Sequence, residues 1–232
     1  MESKAFHYRP GHAKGEDTAR RILEAAIDLF ADEGFEGVST RMLAERAGVN
    51  LPAIQYYFGS KEGLYRAAIA HIADFVETRM AEHATRVQAA LSTGRPSEDE
   101  LLALLFEMLD GFIDLVTCRE APASAGLLIA RAEIENAAAL DVLQETVVRR
   151  VFRPSMALVA RLLGLGENDD ETSIRTFAIL GQALPFKNKA TKMSACPAIG
   201  WHAGDEGRLQ TIRTLLREQT EAVLRAAKKK TP

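Results

Sequence analysis

Apolar positions recur along this chain at helical intervals, and no stretch alternates with the period of a strand. From Asp17 to Glu33 the stripe Ile22, Ala26, Leu29, Phe30 predicts an amphipathic helix, ended by Gly34. Ser39 is an N-cap for a second helix of good helix formers that runs to Ala47. Gly48 then supplies backbone that tolerates positive φ and turns the chain. Asn50 caps a third helix, Leu51 to Phe58, with Pro52 in the first turn, where a missing N–H costs little. Ser60 caps a fourth, from Lys61 to about Leu91, without a capping box because Gly63 holds the third helical position. Leu64, Ala68, Ile72, Phe75, Val76, Met80, His83 and Val87 line one side of it.

Ser92–Pro96 breaks the pattern, and a second helical region follows. Ser97 caps a helix to about Val116, whose leucines, with Met108 and Phe112, cover so wide an arc that it reads as buried. Glu107, Asp110 and Asp114 form an acidic stripe on it, read as a solvated face, with a cationic ligand as the alternative. Further helices are expected at Ala123–Glu135, Leu140–Leu163, Asp170 to about Leu184, and Gly207–Lys228. Pro154 removes the hydrogen bond to the Arg150 carbonyl and must kink or divide its helix. The expected fold is all-α.

The second and third helices, with their tight turn, form a helix-turn-helix, a motif whose second helix lies in the DNA major groove. Leu51 and Ala53 are placed for apolar contacts such as thymine methyls, and Gln55 for adenine N6 and N7. Asn50 stands at the same end. Ser39, Thr40 and Arg41 begin a helix, where N–H groups and the dipole favour phosphate. Tyr56 and Tyr57 carry hydroxyls for phosphate, with packing at the base of the head as the alternative. Lys61 sits beside the DNA backbone or is a solvated charge. Phe58, Leu43, Ala47 and Val49 are core. Arg9 or Lys14 of the N-terminal arm reaches a minor groove, or the arm is disordered.

The order Ser39, Arg41, Leu43, Ala44, Ala47, Gly48, Val49, Asn50, Tyr56, Tyr57, Phe58, Lys61 resembles the TetR family of bacterial transcriptional regulators, as does R-R-I-L-E-A-A-I-D-L-F-A-D-E-G-F upstream. Gln55 stands where many members carry tyrosine. The stretch G-Q-A-L-P-F-K (Gly181–Lys187), with Gly200 and Trp201, is similar to the C-terminal domain of the CecR-like branch. The resemblance implies a flexible arm (1–15), a DNA-binding head (16–62) and a helical effector-binding and dimerisation domain (63–232). It implies a homodimer built from the last two helices, for which Leu209, Ile212, Leu216, Gln219 and Val223 face Ile174, Phe177, Ala178 and Gly181, with burial in the chain's own core as the alternative. It implies a small-molecule effector pocket, for which Met108, Phe112, Phe152, Phe177 and Trp201 are candidate lining, with plain core as the alternative for each. The expected function is a ligand-released repressor on a palindromic operator of double-stranded DNA, with an activator or a helical adaptor as alternatives.

Net charge is −3, so any DNA contact rests on local cations: Arg20, Arg21, Arg41, Arg46 and Lys61 surround the motif. The longest uncharged stretch, Ala47–Ser60, is too short to span a bilayer, and Met1–Gly15 lacks the apolar core of a secretory signal. Cys118 and Cys196 are not in C-x-x-C spacing, which fits a reducing cytoplasm. No phosphate-loop or G-x-S-x-G motif occurs, and the five histidines lack metal-ligand spacing, so neither an enzyme nor a cofactor is expected.

Overall fold

A computed structural model describes residues 13–118, 124–135, 137–186 and 206–228, and among these every regular element is helical. The chain forms two compact units: Met1–Asp74 with Pro122–Gln144, and Phe75–Ala121 with Glu145–Pro232. The first unit thus extends past residue 62 and takes in a segment from later in the chain.

The first unit contains α1 (Ala13–Gly37), α2 (Thr40–Ala47), α3 (Leu51–Phe58), the start of α4 (Lys61–Thr93) and α6 (Ala125–Glu135). Gly34 breaks α1 as expected, with φ 75° and ψ 172°. The core gathers the expected stripes: Ile22, Ala26 and Phe30 from α1, Leu43 from α2, Ile54 and Phe58 from α3, Leu64 and Ile69 from α4. Leu29 and Val49 are only half-buried. Tyr65 stands edge-on to Phe30 (centroids 5.0 Å) and to Phe35 (5.1 Å). Packing of α6 on α1 serves the carbonyls and N–H left open at the break. Arg131 Nη2 donates to the Asp32 carbonyl (2.7 Å), the Phe35 N–H donates to the Glu135 carboxylate (2.9 Å), and Ser124 Oγ donates to Asp28 (2.7 Å).

The second unit is built around α5 (Glu98–Thr117), with the rest of α4, α8 (Arg153–Leu163), α9 (Asp170–Gly181) and α10 (Glu206–Lys228). Ser97 and Glu100 form a full capping box at the start of α5. Leu101, Leu105, Met108, Leu109, Phe112 and Ile113 bury its wide apolar arc. The acidic stripe is partly exposed, and each of its carboxylates is taken by an arginine of this chain. Arg86 bonds Glu107 (2.9 Å), while Arg217 and Arg213 from α10 pair with Asp110 and Asp114.

Pro154 acts as expected, and its device is specific. The expected helix over 140–163 is divided into a 3-10 turn (Ala137–Leu140), α7 (Asp141–Val147), a π turn (Val148–Phe152) and α8. The Arg153 N–H reaches back five residues to the Val148 carbonyl. Such a widened turn makes room for a proline ring that would otherwise strike the carbonyl four residues back. Helix α9 stops at Gly181, short of Leu184; Pro185 has no N–H to return to the Gly181 carbonyl. Leu184–Phe186 continues as a 3-10 turn. Most of Pro185–Gly204, including Trp201, lies outside the described residues, as does Arg9.

Candidate nucleic-acid interface

Each end of α2 and α3 is closed by a bond from a nearby residue. Ser39 Oγ accepts the Met42 N–H (3.2 Å) at the start of α2. Gly48 takes the left-handed conformation (φ 63°, ψ 39°), which a side chain would disfavour, and its N–H closes the end of α2. Asn50 Oδ1 accepts the Ala53 N–H (3.1 Å), and Pro52 occupies the first turn of α3. Gly59 (φ 75°) returns its N–H to the Gln55 carbonyl (2.9 Å). Ser60 Oγ then accepts the Gly63 N–H (2.9 Å) to open α4.

Gly63 is fixed by a close approach. A Cβ there would lie 2.2 Å from the Phe58 carbonyl oxygen, which is backbone and cannot swing aside. The missing capping box is therefore the consequence of how tightly α4 leaves α3.

With Ile54 and Phe58 buried, α3 has one face left over. Leu51, Gln55 and Tyr56 are exposed, Tyr56 at 82%, and Ala53 is partly covered. The two tyrosines differ in setting. Tyr56 projects outward; Tyr57 is half-buried, edge-on to Tyr56 (5.0 Å), with its hydroxyl beside Gly15. At the head of α2, Thr40 is half-buried and Arg41 is 84% exposed and paired with Glu45 one turn on (3.1 Å). Arg21 Nη1 donates to the Ala47 carbonyl (3.3 Å) and so supports the turn from the α1 side.

Lys61 has a structural partner set that its sequence position does not announce. Nζ donates to the carbonyls of Phe35 (2.9 Å) and Val38 (3.1 Å), and lies 4.3 Å from the Phe35 ring centroid. Two of its three hydrogens thus serve the backbone after the α1 break.

The second unit brings some of the expected residues together and not others. Met108 and Phe112 are core, while the Phe152 and Phe177 rings meet at a tilt of 35° with centroids 4.4 Å apart. A cavity of about 610 Å³ opens between α4 and α8, and its lining includes none of these four. On α9, Ile174 (67% exposed), Phe177 (57%) and Ala178 face outward, and Gly181 is half-buried. On α10 the expected stripe splits: Ile212 and Leu216 are buried in this chain's own core, Leu209 is intermediate, and Gln219 and Val223 are exposed. Leu215 shares the outward row four residues before Gln219, and sequence spacing alone did not single it out.

Residues 22–68 match the domain described as bacterial regulatory proteins, tetR family, and residues 101–227 match the C-terminal domain of the HTH-type transcriptional dual regulator CecR. The CecR protein of Shigella flexneri is 30% identical over 199 residues, covering 86% of this chain and 87% of that protein. The chain belongs to the TetR family, in its CecR-like branch. As a TetR-family protein it is a DNA-binding transcriptional regulator, and the family's members are not enzymes. RutR of Escherichia coli K12 is 46% identical over 55 residues, which cover 24% of this chain and 26% of that one. Among solved structures, a TetR-like regulator from Rhodococcus sp. RHA1 shares the fold with TM-score 0.57 and 19% identity, covering 93% of this chain and 98% of that one. AibR, solved with isovaleryl coenzyme A and operator DNA, aligns with TM-score 0.55 and 20% identity over 87% of this chain and 97% of its own. The TetR-family head thus fits the motif read from Ser39 to Lys61. No described helix is long and apolar enough to cross a membrane.

Proposed function

We propose that this regulator is a cytoplasmic, effector-released repressor that binds a palindromic operator as a homodimer. The carrying observation is the outward face of α3, where Leu51, Gln55 and Tyr56 stand exposed on a short helix capped at both ends. A rigid, shallowly seated helix of this kind suits base-edge contact in a major groove. In this reading Leu51, Ala53, Gln55 and Tyr56 meet bases. Ser39, Thr40, Arg41, Asn50 and Tyr57 hold phosphates, and Lys61 adds its remaining N–H. The arm 1–15, head 16–62 and effector domain 63–232 keep their proposed roles, with α6 as an outpost on the head.

One head offers few contacts, so a two-fold pair of heads is needed for specific binding. The row Ile174, Phe177, Ala178 on α9, with Leu215, Gln219 and Val223 on α10, supports a second copy of the chain as the occupant, since a patch that pairs with itself closes a dimer. Ile212, Leu216 and Leu209 then support that surface from behind. An effector that prefers the DNA-incompetent state releases the operator, and a coupling of about 1–3 kcal/mol suffices.

A gel shift on a palindromic fragment from the gene's own upstream region tests the reading. Gln55→Ala with Tyr56→Ala weakens binding about tenfold or more at unchanged melting temperature. Equal binding by that variant would remove α3 from the interface. Sedimentation of Phe177→Asp tests the pairing, which should shift toward monomer. The Shigella relative is described as a dual regulator, which favours activation as the second reading. A reporter that falls rather than rises on gene deletion selects it.

A further inference from the structure

We propose that the cleft between α4 and the π turn–α8 segment is the effector site, and that its ligand is an amphiphilic anion: a carboxylate or phosphate group carrying an apolar tail. This rests on the reading of the chain as an effector-responsive regulator and names the ligand class that reading leaves open.

Four guanidinium groups line the cleft: Arg149, Arg150, Arg153 and Arg161. Its volume, about 610 Å³, is that of a small-molecule site. The α4 side supplies the floor, with apolar Ala84, Val87 and Leu91 beside Gln88 and Ser92. The charges do not cancel. Glu77 pairs with both Arg149 (2.9 Å) and Arg150, so one carboxylate serves two guanidiniums. Arg153 and Arg161 have no ion pair among the described residues, and Glu167 is the one acid on the lining. Unbalanced like charge held around a concavity costs free energy that a bound anion returns. Guanidinium forks also match carboxylate and phosphate oxygens two bonds at a time.

The local backbone brings these residues together. The π turn occupies Val148–Phe152, so Arg149 and Arg150 lie within it and Arg153 donates the N–H that closes it. Arg161 follows two turns along α8. Widened turns of this kind recur at functional sites in helices. On the opposite wall the floor residues belong to α4, the helix whose first residue is Lys61 of the head. A ligand seated there touches an element covalently continuous with the DNA-binding motif.

Titration calorimetry on the full chain tests the assignment. The probes are octyl phosphate and octanoate, with 1-octanol, octyltrimethylammonium and inorganic pyrophosphate as comparisons. One or both octyl anions should bind, and which of them binds separates phosphate from carboxylate recognition. The neutral and cationic tails should bind at least tenfold more weakly, as should pyrophosphate, which lacks the tail. Arg153→Gln with Arg161→Gln disturbs no ion pair and should cut octyl-anion affinity at least tenfold. Arg225→Gln, outside the cleft, should not. Absence of binding by either anion, equal binding of 1-octanol, or equal affinity in the double variant overturns the site. Pyrophosphate binding as tightly as octyl phosphate overturns the amphiphile. A parallel gel shift separates the two levels: no operator binding by the unliganded protein defeats the effector-released repressor reading and leaves the calorimetry standing. Operator binding that saturating octyl anion does not change defeats the effector assignment alone.

Discussion

Between Ser39 and Gly63 the backbone is held by side-chain caps that reach three residues along the chain. Around α5 the polar contacts reach much further, 99 residues from Arg213 to Asp114 and 107 from Arg217 to Asp110. The two regions do different jobs with these means. Short caps fix where each helix starts and stops, so the exposed face of α3 is set by its own neighbourhood. Long ion pairs choose between possible neighbours for a helix already formed, at small individual cost and with strong dependence on salt. Removing a local device should therefore damage the head outright, while removing a distant pair should weaken a seam.

The largest effect is expected from Gly63→Ala. Its Cβ would meet the Phe58 carbonyl oxygen at 2.2 Å, so the exit from α3 must shift, at a cost of about 1–3 kcal/mol. Urea unfolding measures it, and unchanged stability would show that the approach is looser than described. Lys61→Met comes next. It strips donors from the Phe35 and Val38 carbonyls, worth about 1–3 kcal/mol, partly offset by retained packing on the Phe35 ring. The same variant resolves the residue's role. A phosphate contact also lowers the salt dependence of operator binding by about one unit of slope, whereas a purely structural lysine leaves the slope alone.

Asn50→Ala should cost about 1 kcal/mol through the lost cap of α3, and Asn50→Asp much less, because Asp caps as well. Against it, Arg217→Gln tests the distant kind of contact. Its partner Asp110 is mostly covered but the arginine is 42% exposed, so the loss should stay within about 0.2–1 kcal/mol and shrink in high salt. Melting curves of both variants at low and high salt check the contrast. A salt-insensitive loss at Arg217 as large as that at Asn50 would erase the distinction between the two regions.

The same division explains what could be read from the sequence. Helix α3 was legible at its start, because Asn50 and Pro52 act on their own neighbours. Pro154 was legible as a break, though not as a π turn, since the proline demands space without saying how the backbone supplies it. The docking of α6 was not legible: Arg131, Glu135 and Ser124 serve backbone and carboxylate groups on α1 from 96 to 100 residues away. Lys61 read as a charge for solvent or phosphate because the carbonyls exposed by the α1 break are created only by the fold. On α10 two apolar rows lie side by side, and periodicity could not say that Ile212 and Leu216 face home while Leu215 and Val223 face out. The arginine cleft was invisible for the same reason, since Val87 and Leu91 lie some sixty residues from its cationic wall.

The smallest expected effect concerns Glu77, the carboxylate shared by Arg149 and Arg150. The hydrogen bond from Arg150 holds it below the usual carboxylate range; partial burial opposes this, and the charges of both arginines add to the lowering. A carboxylate whose folded-state pKa lies below its unfolded one stabilises the fold above the unfolded value, and that stabilisation is lost as pH falls through the folded value. Glu77→Gln should therefore be less stable than the parent at pH 7, and the gap should begin to close below about pH 4.3, where the unfolded carboxylate takes up its proton. Glu77 is one-third exposed, so the gap should also narrow in salt. Denaturant unfolding of both proteins from pH 7 down to 3 reads the effect directly. A gap that persists undiminished at pH 3 would mean that Glu77 acts through packing, and that Arg149 and Arg150 are held in the cleft by something other than its charge.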